Sequence, residues 1–204
     1  GVQEFLFIPY AGVNLTSDGV EKSYDIYEQR VQAVFAELGC KVYSIHKEKD
    51  PVNAVRSAKA IMVGGGNTFH LVYELHRNDL VEVIKQRAEA GIPYIGWSAG
   101  ANVACPTICT TNDMPIIQPE SFNAFNLVPF QINPHYLDAN PAGHGGETRQ
   151  QRIEEFLTVN RQVTVIGLRE ATLIEVEGEK YTLKGKRPMR IFRFGMEPLE
   201  KTEF

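Results

Sequence analysis

Short apolar runs alternate with amphipathic stretches along the first half of the chain. The runs end at glycine, proline or polar turn residues, as do strands that are buried on both faces of a sheet. In the stretches between them, apolar residues recur at the spacing of one helix face. This alternation predicts an α/β fold with a mostly parallel sheet and helices on both faces. The predicted strands are residues 5–8, 41–45, 60–63 and 92–95, and the predicted helices are residues 24–38, 51–58, 69–76 and 80–90.

Helix-end chemistry supports the first of these helices. Ser17 and Asp18 are expected to cap its start, and Gly39 to close its end.

The second half of the chain has a weaker pattern. Periodicity fades between residues 105 and 133, where we expect loops with short turns. Strands are predicted at residues 130–133, 163–167 and 190–194, with a helix that opens at Glu147-Thr148-Arg149. Residues 171–176 and 180–183 flank Glu177-Gly178-Glu179 and predict a C-terminal β-hairpin. No repeat or low-complexity linker interrupts the chain, so residues 1–204 are predicted to form a single domain.

A Gly-x-Ser-x-Gly pattern follows the fourth predicted strand. It runs Gly96-Trp97-Ser98-Ala99-Gly100 and matches a nucleophile elbow, in which a strand turns sharply into a helix with serine at the apex. Such a turn exposes the serine hydroxyl and directs the first N–H groups of the helix at the space above it. The alternative is a glycine-rich turn with no catalytic role.

A serine nucleophile needs a general base and a group that orients the base. His135 and His144 each lie in a Pro/Gly-rich loop, and His135 is preferred because Pro134 stiffens its backbone. Asp113 and Glu170 are both candidates for the orienting acid, and the pattern does not separate them. The remaining histidines are expected to be structural or surface residues: His46, His70 and His76.

A glycine triplet follows the third predicted strand. Because carboxyl ends of parallel strands lie on one edge, this loop and Ser98 are expected to share that edge. Gly65 or Gly66 could donate a backbone N–H to an oxyanion, together with Ala99. The alternative is a phosphate-binding loop, but the triplet lacks the lysine and spacing of a P-loop.

Composition and charge narrow the classes of function. A net charge of −4 without a basic block disfavours a nucleic-acid partner, and no stretch is long and apolar enough to span a membrane. We see no secretory signal, and we interpret the three cysteines as free thiols in a reducing cytoplasm. A metal at Cys105 and Cys109 is disfavoured because no further ligand follows closely.

Several stretches, in order and over most of the chain, together resemble a serine peptidase family that contains peptidase E, an α-aspartyl dipeptidase, and cyanophycinase. They are Phe7-Ile8-Pro9-Tyr10-Ala11-Gly12-Val13, Val63-Gly64-Gly65-Gly66-Asn67-Thr68-Phe69, Tyr94-Ile95-Gly96-Trp97-Ser98-Ala99-Gly100-Ala101-Asn102, Cys105-Pro106-Thr107, Thr110-Thr111-Asn112-Asp113-Met114-Pro115-Ile116, Gln131-Ile132-Asn133-Pro134-His135, Gly145-Gly146-Glu147-Thr148-Arg149 and Val165-Ile166-Gly167-Leu168.

The resemblance implies a fold like class I glutamine amidotransferases, with serine in place of cysteine. It also implies hydrolysis of Asp-X dipeptides without metal or cofactor, with Ser98 as nucleophile and His135 as base. Asp113 and Glu170 both match positions put forward for the acid, and Arg149 would recognise the substrate carboxylate. Further substrate contacts are predicted at Asn67, Thr68 and His144.

Three points stay open at this level. The family carries a strand–helix unit before the Phe-Ile-Pro segment, and the given sequence begins almost at that segment, so the unit is expected to be absent, cleaved off or outside the given sequence. A homodimer is compatible with the sequence. Alternative functions are a cyanophycinase-like peptidase acting on β-aspartyl-arginine, an inactive ligand-binding relative and a carboxylesterase.

Overall fold

A computed structural model describes residues 1–140, 142–143 and 145–204. The chain divides into two compact units. The first comprises Gly1–Ile108 and Asp113–Pro129, and the second comprises Cys109–Asn112 and Phe130–Phe204.

The first unit is built on four parallel strands in the order β2-β1-β3-β4. The strands are β1 (Glu4–Ile8), β2 (Lys41–Ser44), β3 (Ile61–Val63) and β4 (Tyr94–Gly96). Its helices are α1 (Val20–Ala36), α2 (Pro51–Ser57), α3 (Thr68–Arg77), α4 (Leu80–Glu89) and the short α5 (Ala99–Asn102), with a 3₁₀ turn at Ile45–Lys47. Because β1 lies between β2 and β3, its carboxyl end is a topological switch point, the usual position of ligand sites in such sheets.

Alternation along β1 explains why helices cover both faces of this sheet. Phe5 and Phe7 pack in one apolar cluster with Val31 of α1. Leu6 and Ile8 point the other way, into a cluster that also contains Val55 of α2, Leu71 and Leu75 of α3, and Ile84 of α4. The predicted mostly parallel sheet with helices on both faces is confirmed.

The second unit contains a mixed sheet, a helix and a hairpin. The sheet has the order β10-β9-β6-β5, with β5 (Gln131–Pro134) parallel to β6 (Val165–Leu168). β9 (Met189–Phe192) and β10 (Leu199–Lys201) are antiparallel to their neighbours. The helix α6 (Arg149–Val159) packs Ile153 and Leu157 against this sheet. The predicted C-terminal hairpin is formed by β7 (Thr172–Glu177) and β8 (Lys180–Gly185).

Two details differ from the sequence expectations. The first helix begins at Val20 with Gly19 at the N-cap and no side-chain cap, so the predicted capping by Ser17 and Asp18 is wrong. The strand β10 was not predicted, because all three of its residues are exposed and it has no apolar alternation. The glycine expected after the first helix, Gly39, adopts the left-handed φ of 71° that favours glycine. No helix among the described residues has the length and hydropathy needed to cross a bilayer.

Candidate active site

Ser98 lies at the apex of a strained turn between β4 and α5. Its backbone has φ 55° and ψ −114°, a conformation that residues other than glycine rarely adopt. A Cβ at Gly96 would lie 2.2 Å from the Gly100 oxygen, and one at Gly100 would lie 2.1 Å from the Val63 oxygen. Both contacts are with backbone, so only glycine fits at either position. The predicted sharp strand-to-helix turn is therefore present.

Tyr94 stabilises this turn through a hydrogen bond. Its phenol donates a 2.6 Å hydrogen bond to the Gly100 oxygen. Burial raises the pKa of the Tyr94 phenol well above its usual value, so the hydroxyl stays protonated and can donate.

The glycine loop after β3 lies against the candidate nucleophile. A Cβ at Gly65 would be 2.7 Å from the Cβ of Ser98, and one at Gly66 would be 2.1 Å from the Ala11 oxygen in the loop after β1. Gly66 also has φ 135°, which side chains disfavour. The loops after β1, β3 and β4 thus meet at one edge, as predicted for Ser98 and the glycine triplet.

Asn67, Thr68 and Asp113 form a structural cluster at the start of α3. Asn67 caps the helix, since its side chain accepts from the His70 N–H at 3.0 Å and donates to the Met114 oxygen at 2.9 Å. The Thr68 backbone N–H and hydroxyl donate to Asp113 Oδ2 at 2.7 and 2.6 Å. A carboxylate at a helix N-terminus also interacts favourably with the helix dipole. Substrate contacts by Asn67 and Thr68 stay a prediction.

His135 and Glu170 come together in the second unit. Pro134 of β5 is in register with Leu168 of β6, so the residues that follow these two strands are neighbours. The Nδ1 atom of His135 hydrogen-bonds with Glu170 Oε1. Glu170, one of the two predicted acids, therefore contacts His135. Both side chains are at least half exposed, at 50% and 61%.

Backbone contacts hold His135 in a left-handed conformation with φ 55°. Asn112 Nδ2 donates to the Pro134 oxygen at 2.7 Å, which fixes the peptide group that precedes the histidine. Asn133 Nδ2 donates to Asn112 Oδ1 at 2.7 Å, and Asn133 is buried. On the other side, the Tyr136 N–H donates to the Leu168 oxygen at 3.1 Å.

A second contact ties the segments that carry His135 and Glu170. The guanidinium of Arg169, next to Glu170, pairs with Asp138, and it also pairs with Glu200 of β10 at 2.9 Å. Hydrogen bonding from Arg169 lowers the pKa of the Asp138 carboxyl. Only 10% of the Arg169 side chain is exposed, so this ion pair is partly protected from water.

Arg149 is the first residue of α6. Thr148 caps the helix in a capping box with Gln151. Near it, Glu147 pairs with Arg152 at 3.7 Å and Glu154 accepts from Gln150 at 2.7 Å. His144 lies outside the described residues.

Comparison with known proteins identifies the family of this chain and several similar proteins. The model of peptidase family S51 matches residues 1–184. This chain belongs to peptidase family S51. It is 46% identical over 199 residues to peptidase E of a Nostoc species, covering 98% of this chain and 79% of that protein. Peptidase E of Shewanella amazonensis is 47% identical over 191 residues, covering 94% of this chain and 78% of that protein.

A solved structure of a peptidase from an acI-B1 Actinobacterium has the same fold as this S51 peptidase. The TM-score is 0.69 at 18% sequence identity, and the match covers 98% of this chain and 81% of that one.

The other described histidines of this S51 peptidase have structural contacts, as predicted. His46 bonds with Ser44 at 2.6 Å and Asp25 at 3.3 Å. His70 bonds with the Tyr10 oxygen at 2.8 Å, and His76 with the Asn123 oxygen at 3.0 Å.

One group of possible metal ligands exists among the described residues. It consists of Asp25, Glu28 and His46, whose ligand atoms lie within 4.8 Å of one another. The Lys47 ammonium contacts Glu28 at 2.5 Å and Asp25 at 3.3 Å, so a cation already balances these carboxylates. The cysteines are not paired in disulfides, in agreement with the expected free thiols.

Sequence patterns did not mark Tyr27, Asn112 or Arg169 as important for the site. Tyr27 fits the apolar face of α1, and Arg169 reads as an ordinary charged residue after a strand. Asn112 lies in a stretch that resembles the family, and this resemblance is the feature of the sequence that points to it.

Proposed function

We propose that this S51 peptidase hydrolyses dipeptides with an N-terminal aspartate through an acyl-enzyme on Ser98. The observation that carries the proposal is the strained Ser98 turn with the glycine loop packed against its Cβ. Strain of this kind is concentrated at functional sites, and nothing in a generic turn calls for it.

The proposed base is His135, with Glu170 as the orienting acid. A carboxylate on Nδ1 fixes the tautomer and leaves Nε2 to exchange a proton with the nucleophile. The hydrogen bond between His135 Nδ1 and Glu170 supports this assignment. Asp113 is better explained by its two hydrogen bonds with Thr68 at the start of α3.

The reaction would proceed by acyl transfer. Ser98 Oγ attacks the carbonyl carbon of the aspartyl residue while His135 takes its proton, and the negative charge moves to the carbonyl oxygen. His135 then protonates the leaving amine. A water molecule next attacks the acyl carbon and gives a proton to His135, which passes it to Ser98 Oγ as aspartate leaves. We assign the oxyanion contacts to the N–H group of Ala99 and to that of Gly65 or Gly66.

Recognition of aspartate is assigned to Arg149. A guanidinium can bind a carboxylate through two parallel hydrogen bonds, which suits a short acidic side chain.

The test is a substrate panel with wild type and Ser98→Ala. We expect wild type to hydrolyse Asp-Leu and to leave Leu-Asp, the tripeptide Asp-Leu-Leu and a simple ester largely intact. Ser98→Ala should lose at least about 10³-fold in kcat. Undiminished activity in Ser98→Ala would exclude the mechanism. Preferred cleavage of β-aspartyl-arginine would indicate the cyanophycinase-like alternative, and no hydrolysis at all a ligand-binding relative.

A further inference from the structure

Tyr27 of α1 lies beneath three loops that follow strands in the first unit. A Cβ at Gly12, after β1, would lie 2.4 Å from Tyr27 Cδ1. A Cβ at Gly64, after β3, would lie 2.8 Å from the Tyr27 hydroxyl oxygen. The aromatic ring therefore occupies space that side chains at both glycines would need.

The hydroxyl of Tyr27 links two of these loops directly. The Trp97 indole N–H, next to Ser98, donates to the phenol oxygen at 3.0 Å. The same oxygen packs against the backbone of Gly64, at the start of the glycine loop. Gly65 and Ser98 are in turn in van der Waals contact, so Tyr27, Gly65 and Trp97 surround the base of the nucleophile turn.

The ring is held in place by aromatic neighbours. Phe7 of β1 meets Tyr27 edge-on at 5.0 Å between ring centroids, and it stacks on Trp97 at 5.9 Å. Phe7 and Trp97 thus fix the direction in which the Tyr27 hydroxyl points. A phenol fixed in this way can hold the Trp97 indole and the Gly64 backbone at constant positions.

We propose that Tyr27 is a positioning residue that sets the glycine loop against Ser98. By accepting from the Trp97 indole and packing against Gly64, it fixes the distance between the glycine loop and the turn that carries Ser98. This inference rests on the proposed function, because it assigns catalytic importance to that distance. Errors of about 1 Å in such geometry cost roughly 10²-fold in rate.

The chain offers a matched control on the same helix. Tyr24 lies one turn before Tyr27, is 3% exposed, and its hydroxyl has no hydrogen-bond partner among the described residues. Tyr24→Phe and Tyr27→Phe remove the same atom from two aromatic rings of α1. Only the second substitution removes the acceptor of the Trp97 indole N–H and its contact with the Gly64 backbone.

The experiment measures Asp-Leu hydrolysis and Trp fluorescence in the full chain for wild type, Tyr27→Phe and Tyr24→Phe. We expect Tyr27→Phe to lower kcat by about 10-fold to 10²-fold with KM changed less than about 3-fold, because a positioning defect acts on the reacting groups. Tyr24→Phe should keep kcat within about 2-fold of wild type. Trp97 is the single tryptophan, so all tryptophan emission comes from the residue that donates to Tyr27, and it should change in Tyr27→Phe and not in Tyr24→Phe.

The kinetic and fluorescence measurements distinguish failure of this inference from failure of the proposed function. Wild-type kcat in Tyr27→Phe would overturn the proposal, as would equal losses of kcat in the two variants. If wild type does not hydrolyse Asp-Leu, the proposed function fails, and the emission of Trp97 alone then tests the contact. Unchanged emission in Tyr27→Phe would overturn the inference in that case too.

Discussion

At the scale of single residues, the interpretation of the candidate site depends on the hydrogen-bond partners of each candidate side chain. Asp113 and Glu170 have the same chemistry and both follow plausible loops, yet their contacts differ. Asp113 accepts two hydrogen bonds from Thr68, whereas Glu170 bonds with His135. A sequence does not show such partners, and the contact with His135 is the reason we propose Glu170 as the acid that orients it.

We predict that Glu170→Gln and Asp113→Asn have different effects. Glu170→Gln should lower kcat by about 10²-fold to 10⁴-fold, because an amide does not hold the imidazole in the required tautomer or stabilise its charge. Asp113→Asn should keep kcat within a few-fold but lower the free energy of unfolding by about 1 kcal/mol, since the charge-assisted hydrogen bonds to Thr68 weaken. Steady-state kinetics and urea unfolding test both effects. A large loss of kcat in Asp113→Asn with Glu170→Gln unaffected would reverse the assignment.

Arg149→Lys should be costly although the charge is retained. Loss of a bidentate charged contact is expected to lower kcat/KM for Asp-Leu by about 10-fold to 10²-fold. Arg152→Lys, on the same helix and paired with Glu147, is the control and should change kcat/KM less than about 2-fold. Equal kcat/KM for Arg149→Lys and wild type would remove Arg149 from substrate recognition.

At the scale of elements, the ends of adjacent parallel strands bring the candidate functional residues close to one another. In the first unit the loops after β1, β3 and β4 meet around Ser98, and in the second unit the residues after β5 and β6 form the His135–Glu170 pair. A second link, between Arg169 and Asp138, joins the same two segments of the second unit. Strand register thus determines which residues meet, and ion pairs beyond the strand ends reinforce the arrangement.

The Arg169–Asp138 link should make stability depend on pH. The pKa of Asp138 is lowered in the folded chain, so its contribution is fully present above the unfolded value of about 3.9 and is lost as pH falls through the lowered pKa. Asp138→Asn should therefore reduce the free energy of unfolding by about 1 kcal/mol at pH 7, with the difference from wild type shrinking below pH 3.9.

Urea unfolding at a series of pH values measures this difference. Glu179→Gln, in the exposed turn between β7 and β8, is the control and should stay within about 0.5 kcal/mol of wild type at pH 7. A difference for Asp138→Asn that is constant with pH would contradict the ionic contribution.

At the scale of the whole molecule, the two compact units are interleaved along the chain. Cys109–Asn112 belongs to the second unit, although the residues on either side of it belong to the first. Within the second unit, the Thr110 hydroxyl donates to the Ile132 oxygen and the Thr110 oxygen accepts from Asn133, each at 2.9 Å. Neither unit is therefore a continuous piece of sequence.

We expect this interleaving to couple the unfolding of the two units. Unfolding of the first unit releases the chain on both sides of Cys109–Asn112, which weakens the Thr110 contacts of the second. A single calorimetric transition with equal calorimetric and van't Hoff enthalpies is the expected result, in line with the prediction of one domain. Two separate transitions would contradict both.

The sequence by itself predicted most of the elements and the candidate residues. Apolar periodicity located the strands and helices, and Gly-x-Ser-x-Gly located the turn, because only glycine tolerates the backbone contacts at Gly96 and Gly100. Such features are local, so they are visible in a short stretch of chain. The strand β10 was missed because its exposed residues carry no apolar pattern.

The tertiary structure alone decided which distant residues meet. Asp113 against Thr68 spans 45 positions, His135 against Glu170 spans 35, and Trp97 against Tyr27 spans 70. Each pairing depends on strand order and register, which bring strand ends and the helices behind them together regardless of their separation in sequence. For this reason the sequence could propose a serine, a histidine and two acids. The fold was needed to assign one acid to the histidine and the other to a helix start.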